Sequence, residues 1–128
     1  MKLLLDTHIV LWAAGQPERL SESARTLLTT PENILFFSVA SIWEIVIKRG
    51  LGRDDFKVNP RRLRDMLIAH GYSELPVGAE HVLAVESLPP MHKDPFDRLL
   101  LAQARTEGMI LLTVDASVSQ YKESVLTV

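Results

Sequence analysis

Three short, unbroken apolar runs constrain this chain more than anything else in it: Leu3-Leu4-Leu5, Ile34-Leu35-Phe36-Phe37 and Met109-Ile110-Leu111-Leu112. A strand with one wet face alternates apolar and polar side chains. A strand that is apolar at every position is buried on both faces. Each run is too short for a helix and gives way to a polar residue: Asp6, Ser38 or Thr113. Between the runs, apolar residues recur at helical spacing. Doubly buried strands alternating with helices predict an α/β protein. We expect a three-layer α/β/α sandwich on a mostly parallel sheet, joined by right-handed crossovers.

The remaining elements follow from their start and stop signals. The spacing predicts a strand over 2–5 and a helix from Thr7 to Ala14 that stops at Gly15. A second helix opens behind Ser21 as N-cap and is ended by Pro31. Ser41-Ile42-Trp43-Glu44 has the Ser-x-x-Glu capping-box form and starts a helix to about Gly50. Residues 50–60, with two glycines, two aspartates, Asn59 and Pro60, read as a loop. Helices are expected from Arg61 to Ala69 and from Glu80 to Ser87. A short strand near Glu74–Val77 suits a sheet edge because of Pro76. Asp94 as N-cap and Pro95 as first helical residue open a strong helix to Glu107, with Gly108 as its stop. A strand at 109–113, a helical turn at 116–121 and a last strand at 124–128 complete the pattern. No repeat, linker or second domain is visible, so residues 1–128 read as one domain.

Composition excludes several classes. There are no cysteines among the 128 residues, so disulfides, zinc ribbons, iron–sulfur sites and thiol catalysis are out. That fits a cytoplasmic setting. Asp6 and His8 cut the apolar start before a secretory signal can form, and no apolar stretch is long enough to span a membrane. The formal net charge is −2, so any nucleic-acid site must be a local patch. One such patch exists. Residues 48–64 hold seven basic side chains (Lys48, Arg49, Arg53, Lys57, Arg61, Arg62, Arg64) against Asp54 and Asp55. It is either a solvated face or a surface for RNA phosphates or an acidic protein segment.

In open α/β sheets, ligands bind at the carboxyl ends of strands. Five acids fall there: Asp6 after the first strand, Asp115 after the fourth, Asp94 and Asp97 in one first helical turn, and Glu44 in another. Asp94, Asp97, Glu44 and Asp115 each have a simpler role as helix caps or dipole partners. Asp6 does not, because an acid closing a three-leucine strand lies close to the core and needs a partner or a cation. If the sheet forms, these carboxylates converge and must protonate, separate or bind a cation. Hard oxygen ligands without cysteine or a histidine cluster favour Mg²⁺ or Mn²⁺ over zinc. Such an ion suits phosphodiester hydrolysis. His8, His70, His81 and His92 show no metal-ligand spacing and read as surface or packing residues. Trp12 and Trp43 read as core residues on apolar helix faces.

Four segments now carry a resemblance: Leu3-Leu4-Leu5-Asp6-Thr7-His8; Ser38-Val39-Ala40-Ser41-Ile42-Trp43-Glu44-Ile45; the stretch from His92 to Ala104 with Asp94-Pro95-Phe96-Asp97-Arg98 inside it; and Leu111-Leu112-Thr113-Val114-Asp115. In this order the chain resembles the PIN-domain proteins of the VapC type, the toxin half of type II toxin–antitoxin pairs. The resemblance implies a PIN-like sandwich and a metal-dependent endoribonuclease that uses Mg²⁺ or Mn²⁺ on RNA. It also implies a cognate antitoxin, a homodimer and no membrane. By motif position, Asp6, Glu44, Asp97 and Asp115 match the family's acidic quartet. Thr7 and Thr113 match supporting hydroxyls, and Asp94 a cap or outer acid. Arg98 either meets a phosphate or balances the acids. The alternatives are a DNA-directed or other phosphodiesterase of the same fold and a non-catalytic PIN scaffold. Thr7-His8 after Asp6 argues against a haloacid-dehalogenase phosphatase, which wants Asp-x-Asp there. Phe37-Ser38 offers no acceptor acid for a receiver domain.

Overall fold

The structure is a computed structural model that describes residues 1–90, 94–121 and 123–128. The elements run β1 (Lys2–Leu5), α1 (Thr7–Gly15), α2 (Glu22–Thr29), β2 (Ile34–Ser38), α3 (Val39–Gly50), α4 (Pro60–Ala69), β3 (Ser73–Leu75), α5 (Ala79–Ala84), α6 (Pro95–Glu107), β4 (Ile110–Thr113) and β5 (Val125–Thr127). Single 3-10 turns lie at Pro17–Arg19, Asp54–Phe56, Val85–Ser87 and Ala116–Gln120. All strand pairs are parallel, in the order β3-β2-β1-β4-β5. This is the expected three-layer α/β/α sandwich.

The leucine run of β1 explains the layers. Successive strand side chains face opposite ways. Leu4 is in register with Phe36 and Leu111, and Leu5 with Phe37 and Leu112. Leu4 and Leu111 pack with Leu88, Leu100, Leu101 and Ala104, beneath α6. Leu5, Phe37 and Leu112 pack with Ile9, Val10, Ala24, Ile45, Leu63 and Leu67, from α1 to α4. Each fully buried leucine contributes roughly 1.5–3 kcal/mol, so both faces must be covered. From β1 the chain steps outward through β2 to β3. It then returns through α5 and α6, along the face that Leu4 and Leu111 present, to β4 on the other side of β1. Strand order therefore reverses between β1 and β4, where doubly wound sheets open a crevice.

Several helix signals behave as expected. Asp94 Oδ1 accepts from Phe96 N and Asp97 N at the start of α6. Gly108 closes that helix with φ 67°, a left-handed conformation that glycine adopts freely. Ser21 caps α2 through Ala24 N. The expectation at Ser41 needs correction. β2 runs into α3 without a loop, and Ser38 Oγ accepts from Ala40 N as the actual cap. Ser41 and Glu44 therefore lie inside the helix, both buried, and do not form a capping box. α4 starts one residue early, at Pro60, with Asn59 as its cap. The helix expected over 80–87 splits into α5 and a 3-10 turn, and the last helical turn is also 3-10. Trp43 is 57% exposed, not a core residue.

Candidate active site

The crevice at the β1/β4 reversal holds a pocket of about 130 Å³ lined by Asp6, Thr7, His8, Glu44, Lys48, Asp94, Asp97 and Asp115. All four acids of the quartet are here, drawn from the end of β1, the second turn of α3, the first turn of α6 and the residue beyond Val114. Asp94 lines the same pocket while it caps α6.

Asp6 is only 5% exposed. Its Oδ1 caps α1 by accepting from Ile9 N at 2.9 Å. Its Oδ2 accepts from the Thr113 hydroxyl at 2.5 Å and from Val114 N at 3.2 Å. Burial pushes the Asp6 carboxyl above its ordinary range, against the pull of these three bonds and of nearby His8. Two elements are thus tied at their site ends by one carboxylate, β4 through Thr113 and α1 through its first turn.

Glu44 is 4% exposed. Its Oε1 accepts from the Thr7 hydroxyl at 2.6 Å, and that hydroxyl lies 3.0 Å from the buried Ser41 Oγ. Its Oε2 takes the Lys48 ammonium at 2.5 Å. Thr7 and Thr113, the hydroxyls that motif position singled out, each donate to one of these carboxylates. Asp115 Oδ1 accepts from Ser117 N and Ser117 Oγ, at 2.9 and 2.7 Å, so this acid also caps the turn behind it. Asp97 is half-buried on α6.

Among the described residues, no three carboxylates or imidazoles form a ready cage for an ion. Asp6, Glu44 and Asp115 each accept hydrogen bonds from protein donors. The donor chemistry nonetheless fits Mg²⁺ or Mn²⁺. The pocket offers carboxylate oxygens without thiolate, and Mg²⁺ uses one or two carboxylates and keeps its waters. Asp6 is the buried acid of the set without an ion-pair partner among the described residues. A cation beside it would offset what burial costs.

Other sequence candidates go elsewhere. Arg98 donates to the carbonyls of Pro89, Val85 and Leu88, so it anchors the segment before α6. His81 is buried between Gly78 N and Glu107. His70 meets the Met66 carbonyl. His8 does line the pocket, packed on the Trp12 and Phe56 rings and 3.6 Å from Asp55. His92 lies outside the described residues. Within the basic stretch, Arg64 is bound bidentately by Glu74, Arg53 lies near Asp55 and Lys57 near Asp54. Sequence reasoning gave Ser41 a capping role, Lys48 a place in the basic patch and Gln103 no role. Ser41 and Lys48 sit three residues before and four after Glu44, the spacing that shares a helix face. Gln103 in α6 bridges Ser38 and the Pro76 carbonyl.

The chain belongs to the PIN-domain family, whose sequence profile matches residues 3–124. No protein of curated function matches it in sequence. Solved structures share its fold. VapBC2 from Rickettsia felis, bound to a DNA fragment from its promoter, superposes with TM-score 0.71 at 14% identity, over 100% of this chain and 98% of that one. VapBC-1 from nontypeable Haemophilus influenzae gives 0.62 at 17%, over 99% and 98%. A toxin–antitoxin complex from Klebsiella pneumoniae gives 0.63 at 17%, over 98% and 96%.

Proposed function

We propose that this protein is a metal-dependent endoribonuclease, a single PIN domain acting as the toxin of a type II toxin–antitoxin pair. The observation that carries the reading is the gathering of Asp6, Glu44, Asp97 and Asp115 in one small pocket at the strand-order reversal. In this reading Asp6 and Asp97 hold a Mg²⁺ or Mn²⁺ ion, while Glu44 and Asp115 complete its surroundings or orient water. When bound, the ion supplies positive charge that acidifies water and offsets the charge of the attacked phosphate. The chain's own residues do the rest. Thr7 and Thr113 fix the Glu44 and Asp6 carboxylates in place through O–H donors. Asp94 sets the start of α6 and with it Asp97.

The structural neighbours named as toxin–antitoxin complexes support an antitoxin as partner. Exposed Trp43, Val46, Val82 and Leu83 are in keeping with protein partners, the antitoxin and a second copy of the chain. No helix among the described residues is long and apolar enough to cross a membrane, and a cytoplasmic setting goes with the proposal. The test is cleavage of matched RNA and DNA oligonucleotides with and without Mn²⁺. Asp6→Asn keeps an Asn cap on α1, so it should fold and lose RNA cleavage. Wild-type cleavage by that variant sinks the assignment, and cleavage of DNA alone moves the substrate class.

A further inference from the structure

The pocket is rich in acids, and its substrate would be an anion too. Asp6, Glu44, Asp94, Asp97 and Asp115 line it, and a phosphodiester brings a further negative charge. Lys48 is the one lysine or arginine among the described lining residues. From this placement we infer that Lys48 is a substrate-binding residue whose ammonium grips a phosphate oxygen of the nucleic-acid backbone beside the carboxylates. The inference rests on the nuclease reading above and adds a residue to it.

The ammonium is held in place before any ligand arrives. It lies 2.5 Å from Glu44 Oε2, 4.9 Å from the centre of the Phe56 ring and 6.0 Å from that of Phe96. Phe56 is fully buried in the Asp54–Phe56 turn, and Phe96 belongs to the first turn of α6. The lysine side chain is 20% exposed. Two aromatic rings from separate elements thus lie within cation–π reach of one ammonium. An ordinary lysine loses rotamer freedom when it grips a phosphate, whereas this one is already ordered. An ammonium has three donors, and the Glu44 contact uses one. The ion pair with Glu44 holds Lys48 at the pocket, and the ring contacts from two other elements add to what fixes it there. Glu44 is then a positioning residue for Lys48 as well as part of the acidic set.

The test compares wild type, Lys48→Met and Lys48→Arg. Binding of a fluorescein-labelled RNA dodecamer is followed by anisotropy over a salt series, with Ca²⁺ replacing Mg²⁺. Mn²⁺ binding is followed separately by electron paramagnetic resonance. Lys48→Met should weaken RNA binding about tenfold and lower the log–log salt slope by about one. Lys48→Arg should keep most of both. In turnover, the loss should fall on KM more than on kcat. Mn²⁺ affinity should hold or rise in Lys48→Met, because a positive charge leaves and the aspartates stay. If Met unfolds the region, Lys48→Gln makes the same comparison with a neutral donor to Glu44. Unchanged RNA affinity and slope, with Mn²⁺ affinity lost instead, overturns the inference and leaves the nuclease reading standing. A wild type that neither binds nor cleaves RNA overturns both.

Discussion

The amide of Gln103 gives the sharpest stability prediction. It is fully buried in α6. Its Oε1 accepts from the Ser38 hydroxyl at 2.5 Å, and its Nε2 donates to the Pro76 carbonyl at 3.2 Å. It thereby fastens the ends of β2 and β3 to the helix that carries Asp97. Leucine has nearly the same volume, so Gln103→Leu leaves little cavity. It does leave the buried Ser38 O–H without an acceptor, at about 1–3 kcal/mol, and the Pro76 carbonyl, on an exposed residue, loses an ordinary hydrogen bond, at about 0.5–1.5 kcal/mol. Added apolar burial returns about 1 kcal/mol, for a net loss of about 0.5–3.5 kcal/mol. With about 2.1 cal/mol/K of unfolding entropy per residue, that is roughly 2–13 °C in Tm. Ser38→Ala alone loses the α3 cap, about 1 kcal/mol. In the double variant the orphaned hydroxyl is gone, so the two losses should fall short of additivity by about 1–2 kcal/mol. Urea denaturation followed by circular dichroism measures all four corners of this cycle. A Gln103→Leu loss below about 0.5 kcal/mol, or strict additivity, refutes the assigned bonds.

Two further outcomes follow from the same geometry. Mn²⁺ at about a hundred times its Kd should stabilise the wild type by about 2.7 kcal/mol, roughly 10 °C by differential scanning fluorimetry; Asp97→Asn should lose most of that shift, and an unchanged shift removes Asp97 from the ion's ligands. The Arg64 guanidinium holds the Glu74 carboxyl below its ordinary 4.5, so the pair's stability is present above that pH and lost as pH falls through the folded value; Glu74→Gln should therefore lower stability by about 0.2–1 kcal/mol at pH 7 and match wild type near about pH 3, whereas a gap persisting in acid refutes the pairing.

The layers of the fold were legible because doubly apolar strands admit few architectures. The acidic pocket was legible because strand ends fix where acids go. What sequence hid was orientation. Trp43 lies one residue before buried Glu44, and successive helix residues point about 100° apart, so the two face different ways. The same turn separates Arg98 from Asp97. Adjacency left Arg98 to meet a phosphate or to balance the acids, and its guanidinium donates back to the carbonyls of Val85, Leu88 and Pro89. The Ser41–Glu44 pattern imitated a capping box because β2 passes into α3 with no loop, which moves the true cap to Ser38. Lys48 was hidden inside a charge run, although its spacing from Glu44 held the clue.

These displaced residues share a physical role. Carboxylate oxygens gathered in one pocket need donors or cations facing them. Asp6 has the Thr113 hydroxyl and two backbone N–H groups, Glu44 has the Thr7 hydroxyl and Lys48, and Asp115 has Ser117. Most of these donors come from strand ends or first helical turns beside the reversal, so the topology that gathers the acids also supplies their hydrogen-bond partners. Asp6 is buried and forms no ion pair among the described residues, so a divalent cation would offset the cost of its burial, and it sits at the strand-order reversal where a ligand enters.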